Sequence, residues 1–395
     1  MVSGHAQLVI AQIEQDETIE FLRALVRDPS INPPGDVRES IRICTVKLAA
    51  EGFETEIIGD LEIMPNLVAT KRFGAGPTLL FNAHVDIVPT GTESAWSHPP
   101  FAADLTNGRV YGRGAGDDKA SVTAQVMSAI ALARSGVRLA GTLIVNVVAD
   151  EETGGVHGAQ HTVAHLNAPP DFVIVGEQTL NRVCVGEKGF ASTEVIVHGR
   201  AAHGALPWEG VNAIEGMAAI IMALRAELWP ILEQRTHPYF HHSSASINLI
   251  DGGVKQNVVA DRCRIYIDRR IIPGEDPLDD VAEVRVIAER VASDMPGLRV
   301  EVNGMGMGPA MMSAPDSPVV QAMLAANSQL GLDTELTGFS MGTDGRHFAG
   351  AGIPTIIYGP GDPKLAHVPD EWVGVDEVLE ATRAYALAAL ELLGG

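Results

Sequence analysis

Residues 78–86 read TLLFNAHVD, a nearly continuous apolar run that ends on His84 and Asp86. A strand buried on both faces has this texture, because a parallel sheet covered by helices offers it no wet side. His84 and Asp86 are two residues apart and so project to the same side of extended backbone. They lie at the C-terminal end of the strand, where open α/β sheets place their sites. There the imidazole can ligate a metal while the carboxylate orients it or holds a neighbouring group. Alone, an H-x-D pair is more often structural.

Working outward, apolar periodicity predicts helices over residues 9–26, 39–51 and 120–134 and around 157–165, with strands at 54–58, 66–71, 142–148 and 172–175. Strands alternating with helices predict a largely parallel sheet covered by helices. From about Gly189 the texture changes. The segment ASTEVIVHG alternates apolar and polar residues, as a sheet with one solvated face does. A helix over 212–228, the strand-like ASINLI and NVVADRCRIYIDRR, a helix over 278–293 and the strand LRVEV follow. That β-α-β-β-α-β order is a ferredoxin-like pattern of about 115 residues. The fold expected is therefore α/β, with a discontinuous domain (1–188 and 304–395) interrupted by an α+β domain at 189–303. The G-x-G-x-G run at Gly304, Gly306 and Gly308 lacks the third spacing of a dinucleotide loop and reads as a hinge.

Four more polar clusters join His84 and Asp86. In YGRGAGDDK (residues 111–119) glycines crowd a loop that leads into a helix, with Asp117 and Asp118 at its start. Carboxylates favour a helix N-terminus, so capping is one reading. The other is that glycine frees the backbone to bring a carboxylate to a ligand. Asp150, Glu151 and Glu152 follow the strand LIVNVVA directly and repel one another unless something positive compensates them. A solvated acidic loop would also look like this; if functional, one member suits metal ligation and another proton transfer. Glu177 in VGEQT and His367 in LAHVPDE again lie beyond the ends of apolar strands. Together the clusters supply His, Asp, Glu, Glu and His, a set that suits two divalent cations sharing a carboxylate. Two such cations neutralise three carboxylates and a hydroxide. His157, His161 and His165 share a helical spacing but lack the Glu of an H-E-x-x-H motif, and they read as an ordinary helix face. His241 and His242 receive no assignment.

AHVDIVPTG, GRGAGDDK, ADEETGG, VGEQT, GTDGR and AHVPDE occur in the order seen in the dinuclear-metal aminoacyl hydrolase and peptidase family. That family includes acetylornithine deacetylase, succinyl-diaminopimelate desuccinylase, aminoacylase and carboxypeptidase G, and the resemblance runs from about residue 16 to 390. It implies a zinc-peptidase-like catalytic domain with a lid and dimerisation domain inserted at 189–303. It implies Asp117 as a bridging carboxylate, His84 and Glu177 on one metal, and Glu152 and His367 on the other. Glu151 matches the general acid/base and Asp86 the orienting carboxylate, and a cis peptide is implied at Asp117–Asp118. His203 in GRAAHGALP matches a histidine that helps hold the substrate carbonyl oxygen, often from the partner subunit. Asn257, Arg270 and Arg346 match substrate-binding positions, and two arginines suit a substrate carboxylate. Departures from the family pattern are Val85, Asp118 where Met is common, and Met341 where Gly is common. Glu rather than Asp at 177 leans towards the deacylase and carboxypeptidase branches.

The implied activity is metal-dependent hydrolysis of the amide of a small N-acyl amino acid, with Zn²⁺, Co²⁺ or Mn²⁺ as the cations. A dipeptidase or carboxypeptidase of the same family is the alternative, and a catalytically silent metal-binding relative a third. The charge balance agrees with a small-molecule substrate. In 395 residues, 28 Lys and Arg face 50 Asp and Glu, a net −22 that argues against nucleic acid or an anionic membrane as partner. Three cysteines in no C-x-x-C pair argue against a disulfide framework. No apolar stretch reaches about 18 residues, and the first residues show no basic region followed by a long apolar run. A cytoplasmic homodimer joined through the lid is expected.

Overall fold

Two helices open the chain, α1 (Gly4–Ile10) and α2 (Gln15–Val26), where periodicity predicts one. Asp16 and Glu17 occupy the first turn of α2, where the helix dipole favours carboxylates. Then come α3 (Arg38–Ala50), β1 (Glu54–Ile58), β2 (Asn66–Arg72) and β3 (Thr78–His84). A short hairpin, β4 (Asp104–Thr106) and β5 (Arg109–Tyr111), precedes α4 (Lys119–Arg134), β6 (Thr142–Val148), α5 (Ala159–His165), β7 (Phe172–Gly176) and β8 (Cys184–Glu187). Next are β9 (Gly189–His198), α6 (Ala213–Glu227), α7 (Trp229–Gln234), β10 (Ser244–Gly252), β11 (Arg262–Ile271), α8 (Pro277–Ser293) and β12 (Arg299–Gly308). The chain ends with β13 (Met311–Met312), α9 (Pro318–Leu330), β14 (Thr337–Phe339), α10 (Gly345–Gly350), β15 (Thr355–Tyr358), β16 (Trp372–Gly374) and α11 (Val375–Leu393). The computed structural model describes residues 4–394.

The chain forms two units. One holds the chain up to Gly186, Met312–Phe339 and the chain from Thr343 onward; the other holds Glu187–Met311 and Ser340–Gly342. The first unit is built on a nine-stranded mixed sheet of order β1-β2-β6-β3-β7-β15-β8-β13, with β14 beside β8. Its centre, β6-β3-β7-β15, is parallel throughout. Every residue of β3 after Thr78 is buried, as its unbroken apolar reading requires. Helix α4 is buried on nearly all sides, which its run of Ala, Ser and Val permits. The buried Nζ of Lys119 donates to the carbonyls of Leu25 (2.9 Å) and Asp28 (2.6 Å), so it satisfies the C-terminal end of α2 and fixes the start of α4. A separate three-stranded sheet, β16-β5-β4, lies in the same unit.

The second unit carries a four-stranded antiparallel sheet of order β10-β11-β9-β12. Strand β11 alternates buried and less buried residues, the mark of one covered face. Val195, Val197, Ile265 and Ile267 of the sheet pack with Met217, Ile220 and Leu224 of α6 and Val284 and Ala288 of α8. The glycine run read as a hinge is instead the second half of β12, paired with β9 through a register shift between Gly304 and Gly306. Gly308 lies opposite Phe190, whose ring fills the space a side chain at 308 would take. The glycines serve close strand packing, and β12 carries the second unit past residue 303. Cys44, Cys184 and Cys263 are free and buried. No helix among the described residues is long and apolar enough to cross a membrane.

Candidate metal centre

Four neighbouring parallel strands deliver their C-terminal ends to one place. The registers pair His84 with Val148, Asn82 with Val175 and Tyr358 with Gly176, so the strand ends lie level. His84 closes β3; Glu151 and Glu152 follow β6; Glu177 follows β7; His367 lies on the loop after β15. Asp117 arrives on the loop before α4, and the Asp117–Asp118 peptide is cis, as the resemblance implied.

Asp117 is the centre of the arrangement. One carboxylate oxygen faces His84 Nε2 at 3.3 Å and the other faces His367 Nε2 at 3.1 Å, while His367 Nε2 also lies 3.3 Å from Glu152. Donor atoms fall into two groups, His84 with Glu151 and Glu177, and Asp117 with Glu152 and His367, each spanning no more than 4.8 Å. Glu151, matched to the acid/base role, therefore sits among the donors beside His84 rather than apart from them.

Asp86 orders the surroundings. Its buried carboxylate accepts from Asn32 Nδ2 (2.9 Å) and from the backbone N–H groups of Glu151 and Glu152 (both 3.3 Å), so it holds the acidic loop in place. The Asp86 carbonyl accepts from His84 Nδ1–H at 3.0 Å. A carbonyl can only accept, so this bond fixes a proton on Nδ1 and leaves Nε2 facing Asp117 at 3.3 Å. Asp150 takes a left-handed φ of 69° and caps the loop by accepting from the N–H of His157 at 2.9 Å.

The electrostatics report an excess of negative charge. Burial pushes Glu151 and Glu177 well above the usual carboxylate range, and neighbouring carboxylates add to it. Glu152 is raised for the same two reasons. Burial alone would lower His84, but Asp117 and Asp86 hold it well above its ordinary value. Hydrogen bonds to Asp117 and Glu152 raise His367 to about 10. Asp117 itself is buried, yet His367 and His84 hold it low. Divalent cations would supply the missing charge, and the donor set of imidazole nitrogen and carboxylate oxygen suits them. His84, Asp117, Glu152, Glu177 and His367 thus fit two such ions.

The remaining predicted residues are placed as follows. Arg346 on α10 is half-buried, and its charge opposes the upward shifts of Glu151 and Asp344. In the second unit, His203 and Asn257 are exposed and adjacent, with Gly204 N–H donating to Asn257 O at 2.8 Å. His203 Nδ1 accepts from Ala205 N–H at 3.1 Å, which leaves the proton on Nε2, free to donate. Arg270 is engaged by Asp268 through two bonds of 2.9 and 3.1 Å. Helix α5 starts at Ala159, so His157 lies in the turn before it rather than on a shared helix face. His157 pairs with Asp60 and His165 with Glu56 on the surface, so neither is a metal ligand candidate. Sequence reasoning passed over Asp344, whose buried carboxylate makes no hydrogen bond and is pushed up to about 7 by burial. It also passed over Arg113 and Glu371, a buried pair beside Asp117. Burial, with the Asp117 charge second, raises Glu371 to about 7. All three lie inside quoted motifs, and only their surroundings set them apart.

The chain is similar to succinyl-diaminopimelate desuccinylase of Marinobacter nauticus, 28% identical over 386 residues, covering 95% of this chain and 98% of the relative. It is equally similar to acetylornithine deacetylase of Myxococcus xanthus, 28% identical over 393 residues, covering 96% and 99%. Among solved structures, a tripeptidase from Staphylococcus aureus superposes with a TM-score of 0.80 at 22% identity, covering 96% of this chain and 99% of that one. Human carnosine dipeptidase 1 gives 0.74 at 17% identity, covering 99% of both. At those identities the structures show the shared fold. The model of peptidase family M20/M25/M40 matches residues 80–391. With that match spanning most of its length, and with the fold and metal-binding groups described above, the chain belongs to peptidase family M20/M25/M40.

Proposed function

We propose that this chain hydrolyses the amide bond of a small N-acyl amino acid, in the manner of a deacetylase or desuccinylase, with two divalent cations bound. The observation that carries the reading is Asp117, whose two oxygens face the imidazoles of His84 and His367 while Glu151, Glu152 and Glu177 close the site. His84 and Glu177 would hold one ion, Glu152 and His367 the other, and Asp117 both. Bound there, such ions polarise an amide carbonyl and lower the pKa of a water towards about 7. Glu151 takes the proton of the attacking water and delivers it to the leaving nitrogen, one group acting as base and then as acid. Asp86 keeps Glu151 in reach by holding its backbone N–H. His203, which the resemblance implies is often supplied by a partner subunit, has Nε2 available to donate to an oxygen on which charge develops. Arg346 pairs with a substrate carboxylate, with Asn257 and Arg270 as further substrate-binding residues; Arg270 must exchange Asp268 for that partner. The products are a carboxylate and an amine.

Zn²⁺ is the first candidate ion, with Co²⁺ and Mn²⁺ accommodated by the same donors. The proposal includes a homodimer formed through the second unit. Edge strand β10 supports it, with Leu249 63% and Ile250 61% exposed. It also includes a cytoplasmic location, which the three free thiols support.

The test is a panel of acetyl-, succinyl- and aminoacyl-amino acids at fixed Zn²⁺, Co²⁺ and Mn²⁺, run before and after chelation. Release of acetate or succinate that stops on chelation and returns with metal is the expected result. Cleavage of dipeptides alone would transfer the reading to a dipeptidase or carboxypeptidase. Full activity in metal-free protein would overturn it.

A further inference from the structure

Arg113 and Glu371, buried away from solvent, tie together the two loops that supply Asp117 and His367. Arg113 follows β5 by two residues and Glu371 precedes β16 by one, so antiparallel pairing of the two strands brings them together. Their side chains are 2% and 0% exposed. Glu371 Oε2 accepts from Arg113 Nη1 at 2.6 Å, and Oε1 accepts from the backbone N–H groups of Gly116 (2.9 Å) and Asp117 (3.1 Å). The same Arg113 Nη1 donates to the carbonyl of Val368, the residue after His367, at 3.3 Å. Trp96 covers the guanidinium, its ring centre 5.2 Å away.

A buried ion pair is a weak source of stability, since apolar replacements of similar volume are often as good. Its contacts are more telling. Both amides held by Glu371 belong to the Asp117 loop, and the carbonyl held by Arg113 adjoins His367. The first donor group is anchored by other means, His84 through the Asp86 carbonyl and Glu177 through the end of β7.

We propose that Arg113 and Glu371 are positioning residues for the Asp117–Glu152–His367 group, holding Asp117 and His367 at the 3.1 Å separation at which they can share an ion. The proposal rests on the two-cation reading above, and it predicts an asymmetry: the brace governs the second ion far more than the first. Outer partners of metal ligands commonly change affinity by roughly 10–100-fold.

The experiment is calorimetric titration of chelator-stripped, full-length protein with Zn²⁺, comparing wild type with Glu371→Gln. Gln keeps the shape but puts an NH₂ where one accepted bond lies. Wild type is expected to take two ions. Because Asp117 is shared, Glu371→Gln is expected to weaken the first ion slightly and the second, which also loses the placement of His367, about 10–100-fold, with kcat recovering at excess Zn²⁺ and KM unchanged. If Glu371→Gln does not fold, as judged by far-UV circular dichroism, Glu371→Asp serves. Its shorter side chain cannot reach both amides, and the same selective weakening is expected. Two ions bound at wild-type affinity would overturn the proposal. So would equal weakening of both ions with a lower melting temperature of the metal-free protein, the signature of a merely structural pair. Wild type that takes fewer than two ions overturns the two-cation reading and this proposal with it, a result visible before any substitution is made.

Discussion

Two residues bear most directly on the proposed chemistry. Glu151 is the group assigned to proton transfer, so Glu151→Gln is expected to retain both ions, measured by elemental analysis, and to lose about 100-fold or more in kcat. Near-normal turnover would remove Glu151 from that role. His203 is proposed for the developing oxyanion through its match to the family's histidine, and Ala205 N–H on Nδ1 leaves Nε2 to donate. His203→Ala is expected to lower kcat by about 100-fold with metal content unchanged; a change confined to KM would make it a binding residue only. His84, Glu151, Glu152, Glu177 and His367 were readable because each ends or follows an apolar run long enough to be recognised as a buried strand. Glu371 and Arg113 carry no such flag. Their meaning is a pairing across 258 positions that only the β5–β16 register creates.

Elements were legible where a recurring apolar pattern covered at least about five residues. Strands β3, β6 and β7 and helices α4, α6 and α8 fall within a residue or two of where periodicity places them. The three-residue strands β4, β5 and β16 contain too little pattern to register, though they set the two ligand loops side by side. The glycine run misled because glycine spacing alone does not distinguish a hinge from a strand pressed against an aromatic ring. Within the second unit, strand β11 and helix α8 are joined by a buried charge. Arg269, 1% exposed, pairs with Asp280 and with Glu283 at 2.7 Å, and its Nη1 donates to the Asp280 carbonyl at 3.0 Å. Without Arg269, Asp280 keeps only Arg235, 3.5 Å away, as a counter-charge, so Arg269→Met is expected to destabilise the protein, by less than the roughly 3–5 kcal/mol of a fully uncompensated buried pair. Chemical denaturation checks this, and an unchanged midpoint would show that the carboxylates find solvent or other donors.

For the whole molecule, the site's surplus of negative charge couples stability to metal. Ions that bind only the folded chain at about 100 times their dissociation constant stabilise it by about 2.7 kcal/mol each. Chelation is therefore expected to lower the first thermal transition by several degrees while far-UV circular dichroism at 25 °C stays the same; an unmoved transition would mean that the clustered carboxylates are tolerated without cations. The same surplus explains why composition alone could not locate the site. The acidic residues at the centre are a small part of the 50 in the chain, and net charge sums over all of them.

The three sequestered thiols give the molecule an internal chemical clock. Burial raises Cys44 and Cys184 to about 12 and also raises Cys263, so at neutral pH none presents a reactive thiolate while the chain is folded. Cys44 and Cys184 belong to the first unit and Cys263 to the second. An alkylating reagent followed by peptide mass analysis will thus record, cysteine by cysteine, how often each unit opens, with no engineered residue needed.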